Sequence, residues 1–328
     1  MPRAISLGEA VMDLFAQPAG VPLQEASSFV PAPGGAPANV AVALARLGQD
    51  VGFIGLVGDD PFGLLLTELL QAEGVDTTHF HRLAGSPTML ALVASASPHQ
   101  QDFVIYRGAA TKLRPADLDR AYIASAEVFL FSATILTEDS RDAAFQAVTW
   151  ANAAGVLVIF DANLRPALWP NLEAARQGIL EGLQGAAVCK LNESELAFLA
   201  ETSDLARGSR WVLAQGPRLC LVTLGSKGAY FNTGRAEGYV PAFRVHEVDT
   251  TGCGDAFLAG LTVGLLETGL PVQTLNEASL HRLVRFANAV GALTATRQGA
   301  MAALPTRAAV GDFLKDFIEL QPNFQERG

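Results

Sequence analysis

Charge is scarce in this sequence. Asp, Glu, Lys and Arg make up 17% of its 328 residues, against roughly 25% in an average soluble protein. What charge there is leans acidic, with 23 Lys+Arg against 33 Asp+Glu and a formal net charge of -10. No broad basic face is available to neutralise phosphates, so nucleic acid is not an expected partner. Cysteine is scarcer still: Cys189, Cys220 and Cys253 make an odd count without CxxC spacing. Neither a disulfide framework nor a cysteine zinc site is expected, and the chain reads as intracellular and cytoplasmic. The five histidines, His79, His81, His99, His246 and His281, have neither metal-ligand nor triad spacing and read as surface or loop residues. A long unbroken apolar run is missing too. Ala26 to Ala45 carries no charge, but Pro31, Pro33, Pro37 and Gly34-Gly35 interrupt it, and a membrane span needs about 20 residues of nearly continuous helix. The first apolar stretch meets Glu9 and Asp13, which a secretory leader does not tolerate. No GxxxxGK[ST] occurs and no GxGxxG follows the first strand, which weighs against a P-loop and against a dinucleotide-binding Rossmann unit.

What is present is apolar: half of the residues, enough to build a sizeable core and to rule out disorder. Short apolar runs at Ala4–Leu7, Gly52–Val57, Val128–Ser132, Leu157–Phe160, Ala187–Leu191 and Leu219–Thr223 read as buried strands. Between them lie helical patterns. Pro37–Leu47 and Pro61–Glu73 each begin on a proline and stop before a glycine, the expected polarity of helix signals. Glu138–Ala153, Glu193–Glu201 and Gly254–Thr268 complete the set. Strands alternating with helices predict an α/β chain: a mainly parallel sheet with helices on both faces. Residues about 14–30 and 88–107 break that rhythm with β-like segments and turns, and predict a small β-rich subdomain, a lid, inserted in the N-terminal third. Neither a repeat nor a linker divides the rest, so a single domain is expected.

Three loops carry chemistry. In Asp249-Thr250-Thr251-Gly252-Cys253-Gly254-Asp255, glycines flank Cys253 just before a helix, a place where backbone N–H groups and the helix dipole favour an anion. Asp255 there reads either as a general base beside that anion site or as an N-terminal cap. Pro33-Gly34-Gly35-Ala36-Pro37-Ala38-Asn39 allows a small ligand close to the backbone, and also suits a plain strand-to-helix turn. Thr223-Leu224-Gly225-Ser226-Lys227-Gly228 fits a hairpin turn or a nucleotide-lining loop.

Taken together, these loops resemble those of the ribokinase-like PfkB carbohydrate kinases, most of all the fructokinases. The likeness runs from Gly8-Glu9-Ala10-Val11-Met12-Asp13, through Gly34–Asn39 and Gly55-Leu56-Val57-Gly58-Asp59-Asp60-Pro61-Phe62-Gly63, to Asp249–Asp255 and Ala303-Leu304-Pro305-Thr306. The resemblance implies a three-layer αβα core with a β-rich lid. It implies that Asp255 takes the proton of the attacking sugar hydroxyl, and that the Gly252, Cys253 and Gly254 backbone forms the anion hole. Many relatives carry Ala where this chain has Cys253. By the same resemblance Asp13, Gly34, Gly35 and Asn39 hold the sugar. Lys190, Asn192 and Glu195, in an NxxE-like element, lie near the phosphates of ATP and the water shell of Mg²⁺. Thr223, Gly225 and Gly228 line the nucleotide, with Asn288 near the adenine. Arg165, in Asp161-Ala162-Asn163-Leu164-Arg165, faces the substrate and the transferring phosphate, and Arg107 reaches the sugar from the lid or from a neighbouring subunit's lid. For both arginines a surface ion pair is the alternative. Asp249 and Thr251 match a monovalent-cation pattern, with Arg297 and Gly299 as carbonyl donors. Ala303 stands where a hydroxyl ligand is expected, which leaves dependence on K⁺ open.

The expected reaction is phosphorylation of D-fructose by ATP to fructose 6-phosphate. A second reading keeps the chemistry but takes 2-keto-3-deoxygluconate, because Tyr106-Arg107 would clamp an anionic sugar. A third, from another class, is a non-catalytic sugar sensor; the intact Asp255 and its flanking glycines weigh against it. The expected assembly is a homodimer through the lids, with no membrane partner.

Overall fold

A computed structural model of the chain describes residues 1–18, 20–97, 100–137 and 139–320. Among these, thirteen strands run in chain order: β1 (Ala4–Leu7), β2 (Val11–Gln17), β3 (Ser28–Gly34), β4 (Val51–Gly58), β5 (Phe80–Leu83), β6 (Leu90–Ser97), β7 (Gln100–Tyr106), β8 (Val128–Ser132), β9 (Leu157–Asp161), β10 (Val188–Asn192), β11 (Leu219–Thr223), β12 (Gly228–Asn232) and β13 (Glu237–Pro241). Nine form one sheet in the order β13-β12-β11-β10-β9-β8-β1-β4-β5. Pairing is parallel from β5 across to β11, and β12 and β13 add an antiparallel edge. β1, β4 and β8 are buried along their whole length, as strands covered on both faces must be.

Alternation along a strand sends successive side chains to opposite faces, and here it separates two cores. Val128 and Leu130 of β8 join one apolar cluster, together with Leu44, Leu258, Leu261 and Val284 from helices on that face. Phe129 and Phe131 join the other, with Phe160, Ala147, Ile179 and Leu196. Helices on both sides of a mainly parallel sheet give the three layers that the sequence predicts.

Each of the six strands expected from apolar runs is found within one residue at each end. The expected helices appear as Ala36–Arg46, Pro61–Ala72, Ser140–Ala153, Glu193–Ala200 and Cys253–Thr268; Glu138, the expected start of one of them, lies outside the described residues. Helix Leu172–Gly185 escapes the sequence pattern because its glycines argue against a helix. Packing explains two of them. A Cβ on Gly182 would come 2.5 Å from the Phe160 ring, and one on Gly178 would strike Trp169.

The second sheet runs β3-β2-β6-β7 and overlaps the two β-like stretches, with β2 and β3 together reaching from Val11 to Gly34, beyond the first of them. Its β2 pairs antiparallel with β3 and parallel with β6, which pairs antiparallel with β7. The three residues Gly8–Ala10 join it to β1. Of the histidines, His81 and His246 are exposed and His79 and His281 half-buried; His99 lies outside the described residues.

One arginine grips the C-terminal segment through its carbonyls. Arg46 closes the Ala36–Arg46 helix, binds both carboxylate oxygens of Glu73 (2.6 and 2.8 Å), and donates to the carbonyls of Met301 and Leu304 (2.9 and 2.7 Å). That ion pair holds the Glu73 carboxyl below its ordinary pKa. Arg46→Ala leaves four acceptors without their donor and should lower stability by about 2–3 kcal/mol, read as a shift in the urea midpoint. Arg46→Lys should recover only part of the loss, since an ammonium cannot reproduce the planar fork.

Candidate active site

The site stands where the parallel strands end. In open α/β sheets the carboxyl ends of the strands leave a crevice for ligands, and the chain places its polar residues there. Glu9 follows β1, Thr134 follows β8, Asp161 ends β9 with Asn163 and Arg165 beyond it, and Asn192 and Thr223 end β10 and β11.

Asp255 lies in the first turn of helix Cys253–Thr268, whose N-cap Gly252 takes a left-handed φ of 79° and offers no side-chain cap. Its Oδ2 accepts a hydrogen bond from Asn39 Nδ2 at 2.8 Å. The helix start has no side-chain capping bond, and the Asp255 carboxylate instead reaches across to another helix. Partial burial pushes the Asp255 carboxyl up to about 6; Asn39, Lys190 and Arg165 pull it down, and Asp161 adds to the rise.

Two more carboxylates share this corner. Asp13 is pushed up to about 7 by loss of water, against the pull of Arg165. Glu9, 6% exposed, is also pushed up to about 7 by burial, helped by Asp255 and opposed by its hydrogen bond from Thr134 Oγ1 (2.8 Å) and by Arg165. Arg165 is therefore a counter-charge common to all three. Gly34 must be glycine here, since a Cβ would strike the Asp13 carboxylate. Next to it Gly35 takes a φ of 99° as the N-cap of helix Ala36–Arg46. Two buried amide atoms have no partner, Asn39 Oδ1 and Asn163 Nδ2, and such atoms call for a polar ligand.

The residues expected to hold the nucleotide gather on the β10–β13 side. Thr223 ends β11, Gly225 opens the short turn Gly225–Lys227, and Gly228 begins β12. The loop is thus a hairpin, one of its two sequence readings. Gly228 packs against the Val240–Ala242 backbone, and Asn288 Nδ2 donates to the carbonyls of Val240 and Pro241 (3.1 and 3.2 Å). Asn192 and Glu195 form a reciprocal capping box: Asn192 Oδ1 accepts from Glu195 N–H, and Glu195 Oε2 accepts from Asn192 N–H at 2.8 Å. The other Glu195 oxygen accepts from Leu164 N–H at 2.8 Å. Lys190 is buried and binds both oxygens of Asp161. Burial works against its charge, but Asp161, Glu195 and Asp255 more than compensate and raise its pKa.

Arg107 sits at the end of β7, where its guanidinium donates to the Leu168 carbonyl. With Glu9, Met89, Thr134 and Leu168 it lines one small cavity. Asp249 holds the turn before the helix: Oδ1 accepts from Thr251 N–H and Oγ1 (2.9 and 2.7 Å), and Oδ2 from Gly299 N–H (2.9 Å). These contacts lower its pKa against the effect of burial. The three cysteines are free, and among the described residues no cluster of His, Cys, Asp and Glu could hold a metal ion. Sequence reasoning missed Glu9, Thr134 and Asp161 as members of the site. Glu9 and Asp161 each stand just at or after the end of a buried strand, and that position was the available signal.

Comparison with known proteins identifies the class. Residues 1–307 match the pfkB family of carbohydrate kinases, and the chain belongs to that family. It is 40% identical over 327 residues to a probable fructokinase-3 of Arabidopsis thaliana, covering 98% of this chain and 94% of the relative. Among solved structures, a fructokinase of Xylella fastidiosa with bound ATP superposes with a TM-score of 0.88 at 36% identity, over 97% of this chain and 99% of that one. A fructokinase of Vibrio cholerae O395 in a fructose-, ADP- and calcium-bound form gives 0.83 at 33% identity, over 96% and 99%.

The buried Glu9 has a consequence for stability. Its folded pKa of about 7 lies above the ordinary carboxylate value. The folded state therefore binds the proton more readily than the unfolded chain between those values, and stability falls as pH rises through that window. Glu9→Gln keeps an acceptor for Thr134 and should gain about 2 kcal/mol near pH 8 but little near pH 4.5. Urea unfolding at both pH values checks this, and an equal gain at each would contradict it.

Proposed function

We propose that the protein is an ATP-dependent fructokinase, converting D-fructose and ATP to fructose 6-phosphate and ADP. The observation that carries the reading is the Asn39–Asp255 hydrogen bond, which brings the sugar-side and phosphate-side motifs to one point. Asp255, poised near pH 6, is ionised at neutral pH yet basic enough to take a hydroxyl proton. The primary hydroxyl oxygen of the sugar bonds to the γ-phosphorus as its proton moves to Asp255. The bond to the β–γ bridging oxygen breaks and ADP leaves. N–H groups of Gly252, Cys253 and Gly254 at the helix head stabilise charge on the transferring oxygens. Positioning and charge compensation are most of what phosphoryl transfer asks of a protein.

Asp13, Gly34, Gly35 and Asn39 hold the sugar, and unpartnered Asn39 Oδ1 and Asn163 Nδ2 suit a hydroxyl-rich ligand. Arg165 faces the transferring phosphate. Arg107, beside Glu9, reaches the sugar from the small sheet, which serves as the lid of a single kinase domain. Thr223, Gly225, Gly228 and Asn288 line the nucleotide, with Asn192 and Glu195 towards its phosphates. Mg²⁺ fits as an ion carried in on those phosphates, where it neutralises charge. A protein-chelated ion does not fit, because Glu195 already accepts backbone N–H groups on both oxygens. Asp249 and Thr251 mark the place of a monovalent cation such as K⁺, next to the Gly299 loop.

Assembly follows from the lid. Phe29, Val30, Val104 and Tyr106 stand 37–58% exposed on the two edge strands of the small sheet, and exposed apolar edge strands are ready templates for pairing with another chain. We read the protein as a homodimer through these lids. It works in the cytoplasm, where ATP is supplied and thiols stay reduced. No helix among the described residues is long and apolar enough to cross a membrane.

Asp255→Asn should lower kcat by about a thousandfold or more while fructose binding stays measurable by calorimetry; wild-type turnover would sink the mechanism. In wild type, kcat/KM should fall as pH drops through about 6, because protonation removes the base. ATP consumption across fructose, ribose, 2-keto-3-deoxygluconate and a nucleoside should favour fructose, with Arg107→Ala costing little. Preference for the acid sugar would overturn the sugar assignment and make Arg107 its determinant.

A further inference from the structure

Lys190 and Asp161 form an ion pair almost sealed from water, with side chains 7% and 3% exposed. Lys190 Nζ lies 3.0 and 2.9 Å from the two Asp161 oxygens. The ammonium also packs under the phosphate-side turn: a Cβ on Gly254 would come within 3.1 Å of it. A cation at the positive end of a helix dipole is ill placed for stability. An apolar pair of similar size would often hold a fold as well as a buried ion pair does. The charges therefore answer to something other than packing.

Asp161 extends the link to the loop that carries Arg165. Its Oδ1 accepts from Asn163 N–H at 3.2 Å, and Asn163 takes a φ of 27°, rare for a residue with a Cβ. The next residue, Leu164, donates to Glu195, and Arg165 follows. One pair thus joins the turn bearing Asp255 to the loop bearing its distal counter-charge.

We propose that Asp161 and Lys190 are positioning residues that together set the charge state of Asp255, Lys190 attracting its carboxylate and Asp161 limiting that attraction, and that Lys190 is not a nucleotide contact. The inference rests on Asp255 being the base. The groups facing Asp255 are Lys190 from β10, Asp161 from β9, Arg165 from the loop beyond, Asn39 from helix Ala36–Arg46, Glu9 from the segment after β1 and Cys253 from its own turn. Among them Lys190 and Arg165 carry the positive charge, so loss of Lys190 leaves the carboxylates to raise Asp255 further.

The test is the pH profile of kcat/KM, with kcat and KM for both substrates, in wild type, Lys190→Met, Asp161→Asn and the double variant. Lys190→Met should move the acid limb up by about one unit, so that activity falls about tenfold below the limb and recovers at alkaline pH. Asp161→Asn should move the limb down, and the double variant should lie between the two. Titration of ATP itself is common to all four proteins and cancels. An even loss at every pH with an unmoved limb would make the pair merely structural and overturn the proposal. A raised KM for ATP with an unmoved limb would make Lys190 a phosphate contact and overturn it too. If Lys190→Met does not fold, the other two variants decide: a limb lowered in Asp161→Asn and restored in the double variant supports the proposal, and no movement overturns it. Asp255→Asn separates the layers. Wild-type turnover there removes the base itself, whereas a dead Asp255→Asn with unmoved limbs removes only this inference.

Discussion

A hydrogen bond between two side chains 216 residues apart, Asn39 to Asp255, depends on nearly everything else in the fold. It requires helices Ala36–Arg46 and Cys253–Thr268 to pack on the same face of the sheet. Both helices are rich in small buried residues, Ala38, Ala41 and Ala43 on one and Ala256 and Ala259 on the other, while Gly260 admits the Ala287 backbone and Val290 of helix Glu277–Thr294. Large side chains there would hold the backbones apart and leave the amide short of the carboxylate. The arrangement also keeps β1 paired between β4 and β8, with both helices packed over the same face of the sheet.

Scarcity of charge in the sequence acquires a location in the structure. Among the described residues, the charged side chains that are buried are Glu9, Asp161, Lys190 and Glu195, and all four stand in the site. Removing an ion from water costs several kcal/mol unless partners replace the solvent. Each of the four has a partner: Thr134 for Glu9, the mutual pair of Asp161 and Lys190, and two backbone N–H groups for Glu195. The rest of the interior is left to apolar packing, where Phe53, Phe129, Phe160 and Phe231 fill the largest spaces.

Much of this was legible beforehand, for physical reasons. Strands buried on both faces are continuous apolar runs, which is why β1, β8 and β11 stand out at their true bounds. Proline and glycine at opposite ends announce helices such as Pro61–Ala72. The antiparallel edge was harder to see. Glu237–Pro241 is half exposed, so no apolar run marks it. Helix Leu172–Gly185 was hidden by glycines that exist to admit Phe160 and Trp169. At the site, the glycine loops and Asp255 were visible as motifs because their backbone demands restrict residue type. Glu9 and Asp161 were not, since a single carboxylate at a strand end looks like any surface charge until the sheet brings its neighbours to it.

Gly8 to Ala10 is all that separates β1 of the large sheet from β2 of the small one, and Glu9 lies inside that joint while Asp13 lies on the strand beyond it. β2 is in turn stitched to β6 and β3. A tilt of the small sheet would therefore carry Asp13 with it. Because the chain also crosses at Gly35, residues 84–89 and Arg107, such a tilt would bend all four crossings together, and Gly35 is the one among them that heads a core helix.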